Sequence, residues 1–329
     1  MSALGPTLQA FFTDRLIRQR NASPHTIAAY RDTWRLLLVF AHERTGTPVW
    51  KLDICQLDVE LIASFLEHLE KGRGNSVRTR NARLTAIHSL FRFAATFHPE
   101  HAALIQRVLA MPPKRFERVL VTYLTEDEID ALLASPDRAT WTDRRDHALL
   151  LLAIQTGLRA SELIGLKVGD VHLGAGAHVS CRGKGRKDRI TPLTRDTVAT
   201  ARAWLDERRG QPDEPLFPTR RGRRLSRDAL ERRLAKHVAL AATSCLSLGV
   251  KRITLHTLRH TAAMRLLRAG VDASVIALWL GHESVETTQI YLHADMAIKE
   301  QALARTAPIN SAHGRYQPSD AMLAFLESL

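Results

Sequence analysis

The sequence predicts a mainly α-helical protein of two domains, with a small β-hairpin in the second. Apolar residues recur at helical spacing behind capping signals along most of the chain. A double-proline break, Met111 to Arg115, interrupts that pattern and then turns basic, as an interdomain linker does. A short stretch, HVSCRGKGRKDRITPL, carries β-compatible arms on either side of Gly183, Lys184 and Gly185. At 329 residues the chain also exceeds what one hydrophobic core usually organises.

Taken in order, Ser23 and Pro24 supply an N-cap and first-turn signal, and Ile27, Tyr30, Trp34, Leu37 and Leu38 follow at helical spacing. A second helix is expected from near Leu57, where Val59, Ile62, Phe65, Leu66 and Leu69 form a stripe that stops at Gly72 and Gly74. From Ser76 a third helix sets Leu84, Ile87, Leu90, Phe91 and Ala94 on one face, with Arg78, Arg80 and Arg83 at its start. That charge suits a helix lying along DNA phosphates; it equally describes an amphipathic helix with a solvated face. Thr125 with Glu128 forms a capping box that opens the second domain. An apolar helix over Asp146 to Gln155 stops at Gly157, another covers Ser161 to Leu166, and a strand-like KRITL precedes His256. The expected division is residues 1–111 as a helical domain, 112–123 as linker, 124–307 as the second domain and 308–329 as a tail.

Lys and Arg outnumber Asp and Glu by 47 to 34, a formal charge of +13, which favours a polyanionic partner, nucleic acid before an anionic membrane. No apolar run approaches the ~20 residues that span a bilayer, and the opening MSALGPTLQAFF lacks a secretory signal, so a cytoplasmic protein is expected. Cys55, Cys181 and Cys245 are too scattered for a disulfide framework or a metal knuckle and read as reduced thiols. The Arg220–Arg224 cluster reads as a basic solvent loop.

Four short features of the second domain carry chemistry. In TGLRASEL, Arg159 follows a glycine helix stop on a tight turn, where a guanidinium can present paired donors to a phosphate. Lys184 sits at the hairpin tip, where catalysis and simple DNA contact are both open, with Arg186 and Lys187 beside it as candidate DNA contacts. In HTLRH, His256 and Arg259 share a helix face. His256 and His260 have the spacing of a zinc helix, but the glutamate of HExxH is missing and no other ligand cluster accompanies them. In LGHESVETTQIYLHA, His282 follows the glycine stop Gly281, and Tyr291 lies between Ile290 and Leu292, as a core tyrosine would. Together these residues form a phosphoryl-transfer set without the carboxylate cluster that holds Mg²⁺ in two-metal nucleases. A tyrosine, whose ordinary pKa is ~10, needs a base or strong cations to act as nucleophile, and two guanidiniums can stabilise a pentacoordinate phosphorane.

TGLRASEL, GKGRKDR, HTLRH and LGH followed by Tyr291 resemble, in order, the motifs of the tyrosine recombinase (phage integrase) family, especially its Xer-like members. The helical N-terminal region is similar to that family's SAM-like core-binding domain, and the resemblance spans about residues 1–305. It implies a two-domain DNA clamp that cleaves and rejoins strands through a 3′-phosphotyrosine, without metal, ATP or any other cofactor. Arg159 and Arg259 would hold the non-bridging oxygens, Tyr291 would attack, and Lys184 would protonate the departing 5′-oxygen. His256 would assist proton transfer, His282 would bond the phosphate or orient the tyrosine, and Glu162 and His260 would support them. Double-stranded recombination sites and a homo- or heterotetramer are the implied partners. The apolar-spaced AMLAFLESL near the C-terminus would be a helix docked on a neighbour or packed on its own chain, and Tyr316 lacks the histidine spacing of a nucleophile. A type IB topoisomerase and a catalytically silent DNA-binding accessory protein are the alternatives.

Overall fold

The structure, a computed structural model, describes residues 4–116, 121–182, 188–281 and 291. The chain divides into two compact units, Met1–Arg118 and Val119–Leu329.

The first unit is all helical. Helix α1 (Leu4–Ala10) runs on through a π-helical stretch, Phe11–Gln19, and is followed by α2 (Pro24–Thr45), α3 (Val59–Glu67), α4 (Val77–Ala94) and α5 (Ala102–Leu109). The starts are set by side chains that accept a backbone N–H: Ser23 from Thr26, Asp58 from Leu61 and Ser76 from Thr79. Trp34 and Leu37, Ile62, Phe65 and Leu66, Leu84, Ile87, Leu90 and Phe91 meet in one core, so the stripes read from the sequence are the buried faces. Helix α1 and its extension add Leu4, Phe11 and Leu16 to that core, an element the sequence analysis does not anticipate.

The second unit contains α6 (Glu126–Ala134), α7 (Trp141–Thr156), α8 (Ala160–Gly165), β1 (Val171–His172), β2 (His178–Arg182), β3 (Asp188–Pro192), α9 (Arg195–Arg208), α10 (Arg227–Ala241), the short α11 (Ser247–Val250), α12 (Leu255–Arg268) and α13 (Ala273–Leu280). The expected capping box is present: Glu128 N–H donates to Thr125 Oγ1 at 3.3 Å and Thr125 N–H to Glu128 Oε2 at 2.9 Å. The three strands form an antiparallel sheet in the order β1-β2-β3, with Cys181 paired to Arg189 and Arg182 to Asp188 across the hairpin. Lys251 to Ile253 is not a strand; Thr254 there caps α12 by accepting the Thr257 N–H. The cysteines are free, and no helix among the described residues is long and apolar enough to cross a membrane.

Helix α7 lies at the centre, buried on nearly every side and packed against α9 and α12. Its N-terminal half is polar despite that burial. Asp146 accepts from Arg145 Nη2 at 2.7 Å, from His237 Nε2 at 2.9 Å and from Arg233 Nε, while Asp143 accepts from Arg233 Nη2 at 2.7 Å and Lys236 Nζ at 3.2 Å. Asp143, Asp146 and His237 are the one group among the described residues close enough to share a metal ion, but three cationic side chains already occupy the carboxylates. The cluster therefore works as an ion-pair clamp between α7 and α10. Burial pushes the Asp146 carboxyl up, yet its bonds from His237, Arg145 and Arg233 hold it below the ordinary aspartate value of 3.8. Replacing Asp146 with alanine strands the Arg145 guanidinium, whose side chain is 4% exposed, and is expected to cost about 3–5 kcal/mol in urea unfolding. Because the folded pKa is depressed, the wild-type advantage over Asp146→Ala is full above pH 3.8 and fades as pH falls through the lower folded value.

Candidate active site

The C-terminal end of α7 opens the site. Gly157 caps the helix in the left-handed region, φ +64°, and a Cβ there would lie 2.6 Å from Leu280 Cδ2 and 3.0 Å from Ala262 Cβ. Only glycine meets both demands, and its absence of side chain lets α12 and α13 close on the end of α7. Arg159 follows in extended backbone and starts α8. Its N–H donates to Glu162 Oε2 at 2.8 Å, and its guanidinium donates to Glu162 Oε1 at 2.8 Å and to the Gly281 carbonyl at 2.7 Å.

Arg259 projects from the buried side of α12, 2% exposed, and donates to the Gly157 carbonyl at 2.7 Å and the Leu280 carbonyl at 2.6 Å. A third guanidinium joins them from the sheet. Arg189 on β3 donates to the same Leu280 carbonyl at 2.5 Å and to Glu162 Oε2 at 2.9 Å. Three guanidiniums thus face one carboxylate and the last carbonyls of two helices, where the helix dipole is negative. Burial and the neighbouring Arg159 charge pull Arg259 down to about 10, which leaves it protonated at neutral pH. Burial pushes the Glu162 carboxyl up, but the Arg159 N–H and the Arg189 and Arg159 charges keep it below the usual carboxylate range, hence ionised.

Tyr291 is 1% exposed, packed with Ala263, Met264, Leu267, Ile276 and Leu280. Its Oη lies 2.9 Å from Nδ1 of His260, the rings meeting edge-on at 5.5 Å, and His260 in turn meets the ring of the exposed His256 at 4.3 Å. Burial pushes the Tyr291 hydroxyl up to about 12, against the pull of Arg259 and then Arg159, so it is a neutral phenol at physiological pH.

Arg159, Glu162, Arg259, His260 and Tyr291 are therefore gathered at one place, and His256 joins them through its ring. His260, expected as a support, is the residue in contact with the tyrosine oxygen. Lys184, Arg186, Lys187 and His282 lie outside the described residues. Arg189 escaped the sequence analysis, although a signal existed: HVSCR alternates with Val179 and Cys181 buried, and the hairpin register sets Arg189 opposite Cys181 on that inner face. In the first unit, Arg78, Arg80 and Arg83 part company. Arg78 is exposed with its guanidinium over Phe116. Arg80 is half-buried beside Asn81 and Glu70, and Arg83 donates to Ala29 O and Thr33 Oγ1, tying α4 to α2.

Residues 122–297 match the phage integrase family and residues 10–96 the phage integrase N-terminal SAM-like domain. The chain belongs to this family, the tyrosine recombinases, enzymes that break and rejoin DNA in site-specific recombination. It is 56% identical to a putative integrase/recombinase, y4rC, of Sinorhizobium fredii, over 100% of this chain and 99% of the relative. It is 35% identical to the tyrosine recombinase XerC of Pelobacter propionicus, over 87% of this chain and 90% of the relative. Its fold is shared with the XerH site-specific recombinase solved in a post-cleavage complex with palindromic difH substrate, at a TM-score of 0.64 and 24% identity over 87% of this chain and 81% of that one.

The environment of Tyr291 has a measurable consequence. Its folded pKa lies above the ordinary tyrosine value of 10.0, so the fold favours the protonated form; the associated stability is present below pH 10 and is lost as pH rises toward 12. Phenolate absorbance should show one tyrosine titrating near 12 that disappears in Tyr291→Phe. Between pH 10 and 12 the wild type should lose about 3 kcal/mol relative to that variant.

Proposed function

We propose that this recombinase cleaves DNA with Tyr291 as nucleophile and Arg159 and Arg259 as the groups that hold the scissile phosphate. The observation that carries this is the convergence of a tyrosine hydroxyl, a histidine ring nitrogen at 2.9 Å, the buried Arg259 guanidinium and the half-buried Arg159 guanidinium around the termini of α7 and α13. Each guanidinium has five donors, of which two are used in the bonds described, so both keep N–H groups for non-bridging oxygens.

In the step itself, the bond from Tyr291 Oη to phosphorus forms as the phosphorus–O5′ bond breaks. The phenolic proton passes to His260 Nδ1, with His256 assisting from the adjacent ring, and the departing 5′-oxygen takes a proton from Lys184. His282 would bond the phosphate or steady the tyrosine. Glu162 fixes Arg159. The 3′-phosphotyrosine keeps the energy of the broken diester, so attack by a 5′-hydroxyl reseals the strand with no ATP, and the cations supply the charge stabilisation that metals give elsewhere. In the folded state described, the hydroxyl is buried and neutral, so productive DNA binding has to bring it to the phosphate.

The intended partner is double-stranded DNA carrying paired recombination sites, acted on by a homotetramer or a heterotetramer with a related recombinase, in the cytoplasm at the nucleoid. Residues 1–111 would be the core-binding domain, 112–123 the linker and 124–307 the catalytic domain, with 308–329 a docking tail. Of Arg78, Arg80 and Arg83, Arg78 is the exposed one and the readiest to meet phosphates, and Arg186 and Lys187 would flank Lys184 on the DNA. The solved recombinases bound to DNA, among them a lambda integrase tetramer on a Holliday junction, support this reading at the level of the fold.

The test is a pool of nicked duplexes of randomised sequence, incubated with the protein in EDTA and then denatured. A covalent protein–DNA adduct should form, sequencing of the recovered DNA should yield the site, and Tyr291→Phe should recover none. An adduct that persists in that variant, or that EDTA prevents, would overturn the assignment. Arg159→Ala and Arg259→Ala should each slow adduct formation by about 10²–10³-fold.

A further inference from the structure

We infer that Arg189 is a positioning residue of the cleavage reaction, a third guanidinium whose task is to share the charge of Glu162 so that Arg159 stays available to phosphate. The inference rests on the assignment of Arg159, Arg259 and Tyr291 proposed above.

The geometry is a closed circuit. Glu162 Oε1 takes Arg159 Nη1 at 2.8 Å, while Glu162 Oε2 takes Arg189 Nη2 at 2.9 Å together with the Arg159 backbone N–H. The other end of Arg189 grips the Leu280 carbonyl at 2.5 Å, the same oxygen that receives Arg259 at 2.6 Å. Arg189 therefore links the carboxylate that holds one phosphate-binding arginine to the carbonyl that holds the other.

Charge decides what the link does. Glu162 is nearly sealed, its side chain 4% exposed, and it is ionised. A buried carboxylate facing Arg159 alone would form a full ion pair with it and cancel much of its positive charge. With Arg189 on the other oxygen, two guanidiniums share one negative charge, and the group that meets phosphate keeps a surplus. The carbonyls of Leu280 and Gly281 are dipoles and hold the arginines without neutralising them.

Two further observations fit a functional role better than a stabilising one. Arg189 Nε is buried without an oxygen or nitrogen partner among the described residues, a cost that an apolar residue on this inner face of β3 would avoid. The Cys181 thiol lies beside the side chain across the hairpin. Gly281, besides its left-handed φ of +64°, is approached so closely by Arg189 Nη1 that a Cβ there would collide with it. The guanidinium therefore lies directly against the glycine that ends α13.

The experiment uses the duplex recovered from the adduct pool, made with either an ordinary scissile phosphate or a methylphosphonate at that position. The methylphosphonate is uncharged, so cationic stabilisation matters less on it, while a folding defect would slow both substrates alike. Arg189→Ala should cleave the ordinary phosphate about 10–100-fold more slowly in single turnover, the range typical of partners that orient a reactive group. Its DNA affinity should stay within about twofold of wild type, as expected when the lost interaction acts on the reaction and not on uniform binding. On the methylphosphonate the rate gap should close to about threefold or less, as it should for Arg159→Ala, whose lost charge the neutral substrate no longer needs. Arg189→Lys keeps the charge but lacks the planar fork whose separate nitrogens reach Glu162 and Leu280 at once; it should fall between wild type and Arg189→Ala and provides the comparison if the alanine variant does not fold. A deficit of equal size on both substrates, or none on the phosphate, overturns the inference. Failure of the wild type to form an adduct, or persistence of the adduct in Tyr291→Phe, instead overturns the assignment beneath it.

Discussion

Like charges do not gather in a protein interior unless something holds them, and here backbone carbonyls do most of the holding. Gly157 ends α7 and Gly281 ends α13, both in the left-handed conformation, and the last carbonyls of each helix are taken by guanidiniums. Arg259 spans the two helix ends, bonding Gly157 on one and Leu280 on the other, while Arg159 and Arg189 take Gly281 and Leu280. Backbone that would otherwise need water is satisfied by guanidinium, and guanidinium that would otherwise repel its neighbours is satisfied by backbone. Glu162, the one carboxylate bonded to these guanidiniums among the described residues, is outnumbered, an electrostatic setting suited to an anionic group.

The remainder of the unit serves to hold those helix ends at a common point. Helix α7 is anchored at its start by the Asp143, Asp146 and His237 network and delivers Gly157 at its finish, so polar packing at one end positions chemistry at the other. Helix α12 performs two tasks with adjacent residues. Successive side chains on a helix point about 100° apart, and this separation sends Arg259 toward the carbonyls and His260 toward the Tyr291 oxygen.

What could be read from the sequence was mostly local. Ser23, Ser76 and Thr125 announce helix starts, and Gly157 and Gly281 announce stops, because a cap acts within a few residues of itself. The family, and the residues proposed to carry its chemistry, were legible in short ordered motifs. Interactions between distant segments were not. Arg189 acquires its meaning from Leu280, which lies on another element altogether, and the bonds of Arg83 to Ala29 and Thr33 on α2 are invisible in its own segment. The strand-like KRITL shows the reverse failure: its β-branched isoleucine and threonine suggest a strand, yet Thr254 is spent on capping α12. Side-chain direction along α12 was equally hidden: the contact of His260 with the tyrosine hydroxyl follows from where its ring points.

The seclusion of Tyr291 bears on safety as much as on chemistry. A strongly basic protein meets nearly any duplex it encounters, because attraction to phosphate carries no sequence information. On the role proposed above for Tyr291, an exposed and readily ionised phenol would risk a broken strand at each such chance meeting. With the hydroxyl kept neutral and inside an apolar pocket, a tyrosine in that role would keep scanning and scission as separate events, a blade sheathed until its site is bound.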